Sequence, residues 1–319
     1  MAKLLFYHHP SSFDHDTGPR HPERPERIRA ILDELERRPI AGLERRTAPR
    51  ARETDLARAH PPAYVAEVLR RIPDEGRLHL DPDTVVSPGS GEAALRAAGG
   101  AVAAVAAVLA GEARRAFCCL RPPGHHAERR RAMGFCLFNN VAVAALCARH
   151  HHGVGRIAIF DFDVHHGNGT QDIFWDDPLT LYASTHQWPL YPGTGRAEER
   201  GAHDNILNRT FAPGTGSEAW RRVVAEEMLP RIDAFRPELV LISAGFDAHL
   251  RDPLANLLLE EDDFGWITRE LVAVAERHAG GRVVAVLEGG YDLTALARSV
   301  HAHLAALAEA AEEAAGDGG

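Results

Sequence analysis

Lysine is nearly missing from this chain. Lys3 is its only one, so almost all of its 36 basic residues are arginine, and alanine is correspondingly heavy; both read as a bias of the coding sequence without functional weight. A basic excess is missing too. Acidic residues number 45, for a net charge of −9, which argues against a nucleic-acid binder, since these usually carry a basic excess or stripe. A cationic partner is compatible with that charge. The longest apolar run, Ala101 to Ala110, is too short to cross a membrane, and Met1 to Pro10 lacks the apolar stretch of a signal peptide. The four cysteines, Cys118, Cys119, Cys136 and Cys147, form no C-x-x-C pair, which excludes a zinc ribbon or thioredoxin motif. Cys118-Cys119 sit in an apolar run and read as buried thiols, so a reducing, cytoplasmic location is expected. There is no G-x-S-x-G elbow, P-loop or H-E-x-x-H, and no G-x-G-x-x-G after a strand. Serine hydrolases, nucleotide hydrolases and dinucleotide enzymes are thereby disfavoured.

What is present is an alternation of short apolar runs and helical-period segments over 319 residues. Strands are predicted at Lys3–Tyr7, Arg115–Leu120, Arg156–Phe160, Leu179–Ser184, Leu239–Ser243 and Arg282–Leu287. Most are continuous and apolar, as fully buried parallel strands should be. Helices are predicted at Arg24–Arg37, Pro61–Ile72, Gly91–Gly111, Phe138–His151, Ser217–Phe235, Asp262–Ala279 and Leu293–Ala314. The pattern implies an α/β fold whose parallel sheet is covered on both faces. Asp81–Gly91, Leu120–Gly134 and Pro189–Gly216 read as loops. No repeat or linker appears, so one domain over 1–319 is expected, with a small acidic tail over about 308–319 that frays.

In open α/β sheets, ligands bind beyond the carboxyl ends of the strands. Four predicted strands end there in glycine beside polar or ionisable residues: at 121–127, 161–169, 244–249 and 288–291. Asp161-Phe162-Asp163-Val164-His165 carries the strongest signal. Alternate residues of extended backbone point the same way, so Asp161, Asp163 and His165 converge while Phe162 and Val164 pack behind them. Two carboxylates and an imidazole on one side call for a cation. With Asp247 from another strand end, three protein ligands leave open positions for water and substrate, as catalytic sites do. An ordinary buried carboxylate–histidine pair is the rival. His125-His126 offers bases able to take a proton from water and pass one to a leaving amine. Each needs a carboxylate or amide behind it, for which Asp161 and Asn168 are the candidates. Tyr291, after two glycines, could donate to an oxyanion.

With these residues in view, the sequence resembles the histone deacetylase superfamily, on the side of its class II-like branch of bacterial deacetylases and acetylpolyamine amidohydrolases. The motifs that carry the resemblance are His21-Pro22-Glu23-Arg24-Pro25-Glu26-Arg27, Arg121-Pro122-Pro123-Gly124-His125-His126-Ala127, Gly134-Phe135-Cys136-Leu137-Phe138-Asn139-Asn140, Asp161 to Gly169, Tyr191-Pro192-Gly193-Thr194-Gly195, Ala244-Gly245-Phe246-Asp247-Ala248 and Glu288-Gly289-Gly290-Tyr291. The resemblance implies an arginase-like three-layer fold with an eight-stranded parallel sheet flanked by helices. It implies one catalytic Zn²⁺ on Asp163, His165 and Asp247, a tandem pair His125 and His126 backed by Asp161 and Asn168, and Tyr291 as catalytic tyrosine. In this scheme His126 is the general base and acid, and His125 gives electrostatic support. Gly134, Phe135 and Tyr191 match the narrow channel for the acyl-lysine stem. The resemblance further implies K⁺ near the zinc, supplied by Asp161, Asp163 and His165, with Ser184 and Thr185 from the next strand end and Phe174 near a second site. Arg24 matches the internal arginine behind the active site.

Polyamine-selective relatives place an acid at the channel mouth, in one branch just after the Asp-Pro that follows Gly-Phe-Asp; here Asp252-Pro253 is followed by Leu254. That leans toward acyl-lysine or another small amide, with acetylpolyamine as the alternative. Ser90 is expected to meet a substrate backbone, and Asp81 or Asp83 could supply an acid. Two rivals lie outside this reading: an arginase-type hydrolase with two Mn²⁺, and a catalytically silent acyl-lysine binding module. An oxygen-rich ligand set also admits Fe²⁺ or Co²⁺. The partner expected is an acylated amine, with no nucleic acid and no membrane; self-association as a homo-oligomer is left open.

Overall fold

The computed structural model describes residues 4–316. One sheet organises them. In chain order its strands are β1 (Leu4–His8), β2 (Leu43–Thr47), β5 (Arg115–Cys118), β6 (Ile157–Asp161), β7 (Thr180–Gln187), β8 (Ile206–Phe211), β9 (Leu239–Ala244) and β10 (Val283–Leu287). They lie side by side as β2-β1-β5-β10-β9-β6-β7-β8, every neighbouring pair parallel. The expected α/β fold with an eight-stranded parallel sheet is what forms.

The two-residue period of a strand sorts side chains to opposite faces, and both faces here are apolar. In β1, Leu5 and Tyr7 join one core while Leu4 and Phe6 join the other; in β10, Val284 and Val286 split in the same way from Val283, Ala285 and Leu287. The first core is roofed by α4 (Ser90–Leu109) and α5 (Asn140–His152), the second by α1 (Glu26–Arg37), α9 (Glu261–His278) and α10 (Leu293–Gly316). Burial on both faces explains why the six predicted strands read as continuous apolar runs. Helix α4 starts earlier than its longest apolar run and is long and apolar enough, at mean hydropathy 1.5, to span a bilayer. Two-thirds of it is buried. Its Ala97, Ala98, Ala101 and Ala104 pack in the first core, so it is a core helix.

The structure adds elements where the sequence was read as loop or left unassigned. β2 (Leu-Glu-Arg-Arg-Thr) and β8 are the two edge strands, partly exposed and polar. An apolar-run criterion selects central strands and passes over these. A hairpin of β3 (Leu78–Asp81) and β4 (Thr84–Val86) occupies part of the stretch read as a loop from Asp81. Helix α6 (Asn168–Phe174) follows the glycine-rich segment after β6. The short helix α2 (Glu53–Leu56) is new, the predicted helix Pro61–Ile72 forms as α3 (Pro62–Arg70), and the predicted helix Ser217–Phe235 forms as α7 (Ser217–Val223), a π turn at Val224–Met228 and α8 (Leu229–Phe235). The small acidic tail read from 308 falls in the last turns of α10 and in residues 317–319, the latter outside the described residues.

The four strands whose ends carry the candidate residues, β5, β10, β9 and β6, are consecutive at the centre of the sheet. Parallel pairing puts all four carboxyl ends at one edge, which is how segments more than a hundred residues apart meet.

Candidate active site

After β6 the chain keeps its alternation. Phe162 and Val164 join the second core, and Asp161 and Asp163 are buried on the other side. His165 Nδ1 lies 3.1 Å from Asp163 Oδ1 and 3.1 Å from Asp247 Oδ2. One donor atom from each of these three residues falls within 4.8 Å of the other two. The main chain fixes the carboxylates: Val164 N–H donates to Asp247 Oδ1 at 2.8 Å and Gly289 N–H to Asp163 Oδ2 at 2.8 Å. A Cβ on Gly289 would stand 2.1 Å from Asp247 Oδ2, so only glycine lets this loop come so near. Burial and the charge of Asp163 push Asp247 up to about 6. Burial alone would lower His165, but its bonds to Asp163 and Asp247 push it up to about 10. Two buried carboxylates crowding one imidazole are the donor set a divalent cation fits. Asp55, Cys147 and His151 also cluster, but Arg52 already holds both Asp55 oxygens, at 2.7 and 3.0 Å, and Arg58 faces them. That group is a salt bridge.

The tandem histidines sit beside this cluster in two different settings. His125 Nδ1 donates to Asp161 Oδ2 (3.0 Å), which also accepts the Tyr182 hydroxyl (2.9 Å). Burial opposes charge on His125, but the charges of Asp163 and Asp161 outweigh it and hold the imidazole well above its usual range. His126 goes the other way: burial, then the charges of His125 and His165, press it well below. The two rings are thus biased in opposite directions, His125 toward its protonated form and His126 toward a neutral base. The tautomer of His126 follows from its partners. Asn168 Nδ2 donates to Glu128 Oε1 at 2.7 Å, which leaves Asn168 Oδ1 to face His126 Nδ1 at 2.8 Å. Nδ1 therefore carries the proton and Nε2 keeps its lone pair. Tyr182→Phe removes one of the two donors to the buried Asp161 oxygen. It is expected to cost about 1.5–3 kcal/mol, checked by denaturant unfolding.

Tyr291 comes from the loop after β10. Gly290, at φ +118°, makes the turn, and a Cβ there would meet Leu296 at 2.8 Å. Burial raises the Tyr291 hydroxyl well above its usual range, so it stays a proton donor. The buried arginine under its ring, 5.0 Å from the centroid, is Arg27, which corrects the match made to Arg24: Arg24 is partly exposed, one turn earlier. Arg27 donates to the carbonyls of Gly290 and Glu288 and, with Arg121, pairs with buried Glu23. Glu288 turns back to accept N–H bonds from Gly124 (2.7 Å) and His125 (3.1 Å). Asp252, pushed up to about 7 by burial and the charge of Asp247, accepts from Tyr291 N–H at 2.7 Å and Leu254 N–H at 2.9 Å.

These groups open onto a cavity of about 220 Å³ lined by Asp83, His126, Gly134, Phe135, His165, Leu190, Tyr191, Leu254 and Tyr291. Gly134, Phe135, Tyr191 and Leu254 are thus on its wall. Phe135 has a left-handed backbone, φ +69°, uncommon for a bulky residue. The β3–β4 hairpin holds it there: Asp83 Oδ1 accepts from Gly134 N–H and Thr84 Oγ1 from Phe135 N–H, both at 3.1 Å. Ser90 does not reach the cavity. It is fully buried at the start of α4, where its hydroxyl meets His15 Nδ1 at 2.7 Å and accepts from Ser87 N–H; its donor and acceptor capacity is used in holding that turn. Of the two acids considered, Asp83 lines the cavity, while Asp81 pairs with Arg131 at 2.8 Å. Ser184 is the register partner of Asp161, and Thr185 follows it. Phe174 lies apart, buried at the end of α6, its carbonyl accepting from Asn205 Nδ2 at 2.8 Å.

Sequence reasoning passed over Glu128, Asp252, Glu288 and Arg27. Each acts on a main chain or on another side chain from a distance in sequence. The Asp-Pro and Glu-Gly-Gly contexts were the only signal for two of them.

Comparison with known proteins agrees with this geometry. A family model described as the histone deacetylase domain matches residues 21–307. A histone deacetylase-like amidohydrolase of Pseudomonas aeruginosa is 44% identical over 279 residues, covering 85% of this chain and 71% of that protein. The human polyamine deacetylase HDAC10 is 40% identical over 299 residues, 87% of this chain and 43% of that protein. The crystal structure of the HDA15 HD domain superposes with a TM-score of 0.89 at 32% identity, covering 99% of this chain and 93% of that one.

Proposed function

The chain belongs to the histone deacetylase family, a hydrolase of amide bonds, and from that premise we propose that it removes acetyl or other acyl groups from acyl-lysine or a similar small amide. The observation that carries this reading is the single cavity wall on which His126, His165 and Tyr291 meet beneath Phe135, Tyr191 and Leu254. Phe135, Tyr191 and Leu254 are partly exposed while His126, His165 and Tyr291 are buried, an order that suits an acyl-amine stem entering amide end first. Asp163, His165 and Asp247 would hold one divalent ion, Zn²⁺ first, with Fe²⁺ or Co²⁺ admitted by the oxygen-rich set. Bound there, such an ion supplies Lewis-acid polarisation of the carbonyl and a more acidic water. His126 Nε2 takes the proton of the attacking water and returns it to the leaving amine. His125, hydrogen-bonded to Asp161, gives electrostatic support as negative charge develops. Tyr291 Oη donates to the oxyanion. K⁺ is assigned to Asp161, Asp163, His165, Ser184 and Thr185, with Phe174 near a second site. The whole chain acts as one catalytic domain in the cytoplasm, without nucleic acid or membrane.

The test is a side-by-side assay of the metal-loaded protein on acetyl-lysine peptides, longer acyl-lysines, acetylputrescine and acetylspermidine, with a hydroxamate as control. Hydroxamate-sensitive release of acetate from acetyl-lysine is expected. No hydrolysis of any acyl amide would leave the silent binding module in its place. The acetylpolyamine reading has Asp83 on the cavity wall in its favour, with its Oδ1 held by the Gly134 N–H, but Leu254 stands where one branch of polyamine-selective relatives carries an acid. Leu254→Glu is expected to shift the kcat/KM ratio toward acetylspermidine about fivefold, since a partly exposed ion pair is worth up to ~1 kcal/mol. An unchanged ratio would remove position 254 from substrate choice.

A further inference from the structure

We propose that Asp252 is a positioning residue whose one carboxylate fixes the main chain of Tyr291 and of Leu254, and so sets the hydroxyl donor and a wall of the channel relative to each other. This rests on the role given to Tyr291 above. Oδ2 accepts from Tyr291 N–H at 2.7 Å and Oδ1 from Leu254 N–H at 2.9 Å, and both recipients line the same cavity. The carboxyl is buried, so an N–H that loses it has no water to turn to.

The tyrosine needs such a grip. It follows Gly289 and Gly290, which have no side chains to pack, and Gly290 takes a left-handed backbone. Arg27 holds the carbonyls of Glu288 and Gly290 on one side. Among the described residues, Asp252 Oδ2 is the acceptor given to the Tyr291 N–H itself. The carboxylate is in turn well anchored: Asp252 N–H donates to His249 O at 2.9 Å and Leu250 N–H to Leu259 O at 2.9 Å. A loop after β9 held by its own main-chain bonds therefore reaches across to steady the loop after β10. A leucine at 254 and a tyrosine at 291 cannot drift independently while the link is intact.

Asp252→Asn tests this with nearly the same shape. A carboxamide has one accepting oxygen, so its NH₂ must oppose one of the two N–H groups. We expect kcat on an acetyl-lysine peptide to fall about 10- to 100-fold, as small misplacements of a catalytic group do, with metal per chain unchanged. In a Tyr291→Phe background the same substitution should change kcat by less than about twofold, the limit of additivity for independent sites. Equal losses in both backgrounds, or loss of metal, would mean general damage and overturn the proposal. So would unchanged kcat, or a rise in KM alone, which would confine the carboxylate to the Leu254 wall. If the asparagine variant does not fold, Asp252→Ser enters the same cycle with the same criteria. Tyr291→Phe measured alone separates the premise: full kcat there ends the role of Tyr291 and this proposal with it, before Asp252 is touched.

Discussion

Asp247→Ala is expected to empty the site of its divalent ion and abolish turnover. Two consequences follow from one carboxylate. One of its oxygens is among the three donor atoms converging within 4.8 Å, and its Oδ1 holds the Val164 N–H at 2.8 Å, so the segment that presents His165 is expected to loosen when it goes. An aspartate and a histidine alone are a weak chelate, since catalytic sites of this kind rest on three protein ligands. Metal analysis after dialysis should find about one equivalent in the unaltered protein and a small fraction of that in the variant. Stoichiometric retention would strike Asp247 from the ligand set. The count also separates this reading from the arginase-type rival, which needs two ions.

Tyr291→Phe should leave metal content alone and cost turnover. The hydroxyl stays protonated because burial, together with the negative charge of Asp247, opposes its ionisation, and Arg27 beneath the ring does not reverse that. A preorganised donor to an oxyanion is worth about 2.7–4 kcal/mol, so kcat should fall about 10²–10³-fold. The loss should appear in kcat more than in KM, because the bond strengthens as the carbonyl oxygen gains charge. Steady-state kinetics on an acetyl-lysine peptide check it, and unchanged kcat would refute the role.

Much of this arrangement could be read before any coordinates, for identifiable reasons. The central strands are apolar on both faces and stand out as runs. Beyond their carboxyl ends, the alternation of Asp161, Asp163 and His165 argued for a cation, and Asp247 joined them from another strand end. The pairings of His125 with Asp161 and of His126 with Asn168 were expected from the family pattern, and the structure places each pair in hydrogen-bond contact. What was not legible falls into two kinds. Edge strands β2 and β8 carry polar faces, so their pairing is decided by neighbours rather than by their own sequence. Supporting residues such as Glu128 and Asp252 act across gaps of 40 and 39 residues, and no local pattern records such a contact. Ser90 shows the converse error: a hydroxyl in a Pro-Gly-Ser stretch suggested an exposed loop, but the stretch opens a buried helix.

The outer margin of β2 bears on how the protein behaves at high concentration. Its free ladder of backbone groups is an invitation to join another strand, yet Glu44, Arg45 and Arg46 crowd it, with Arg46 tied to Glu44 at 2.7 Å and to Glu112. Stacking a second sheet there would mean stripping water from several ions at once. The charges thus guard this edge against pairing with another strand, and valines in place of the two arginines are expected to lower the concentration at which light scattering detects self-association.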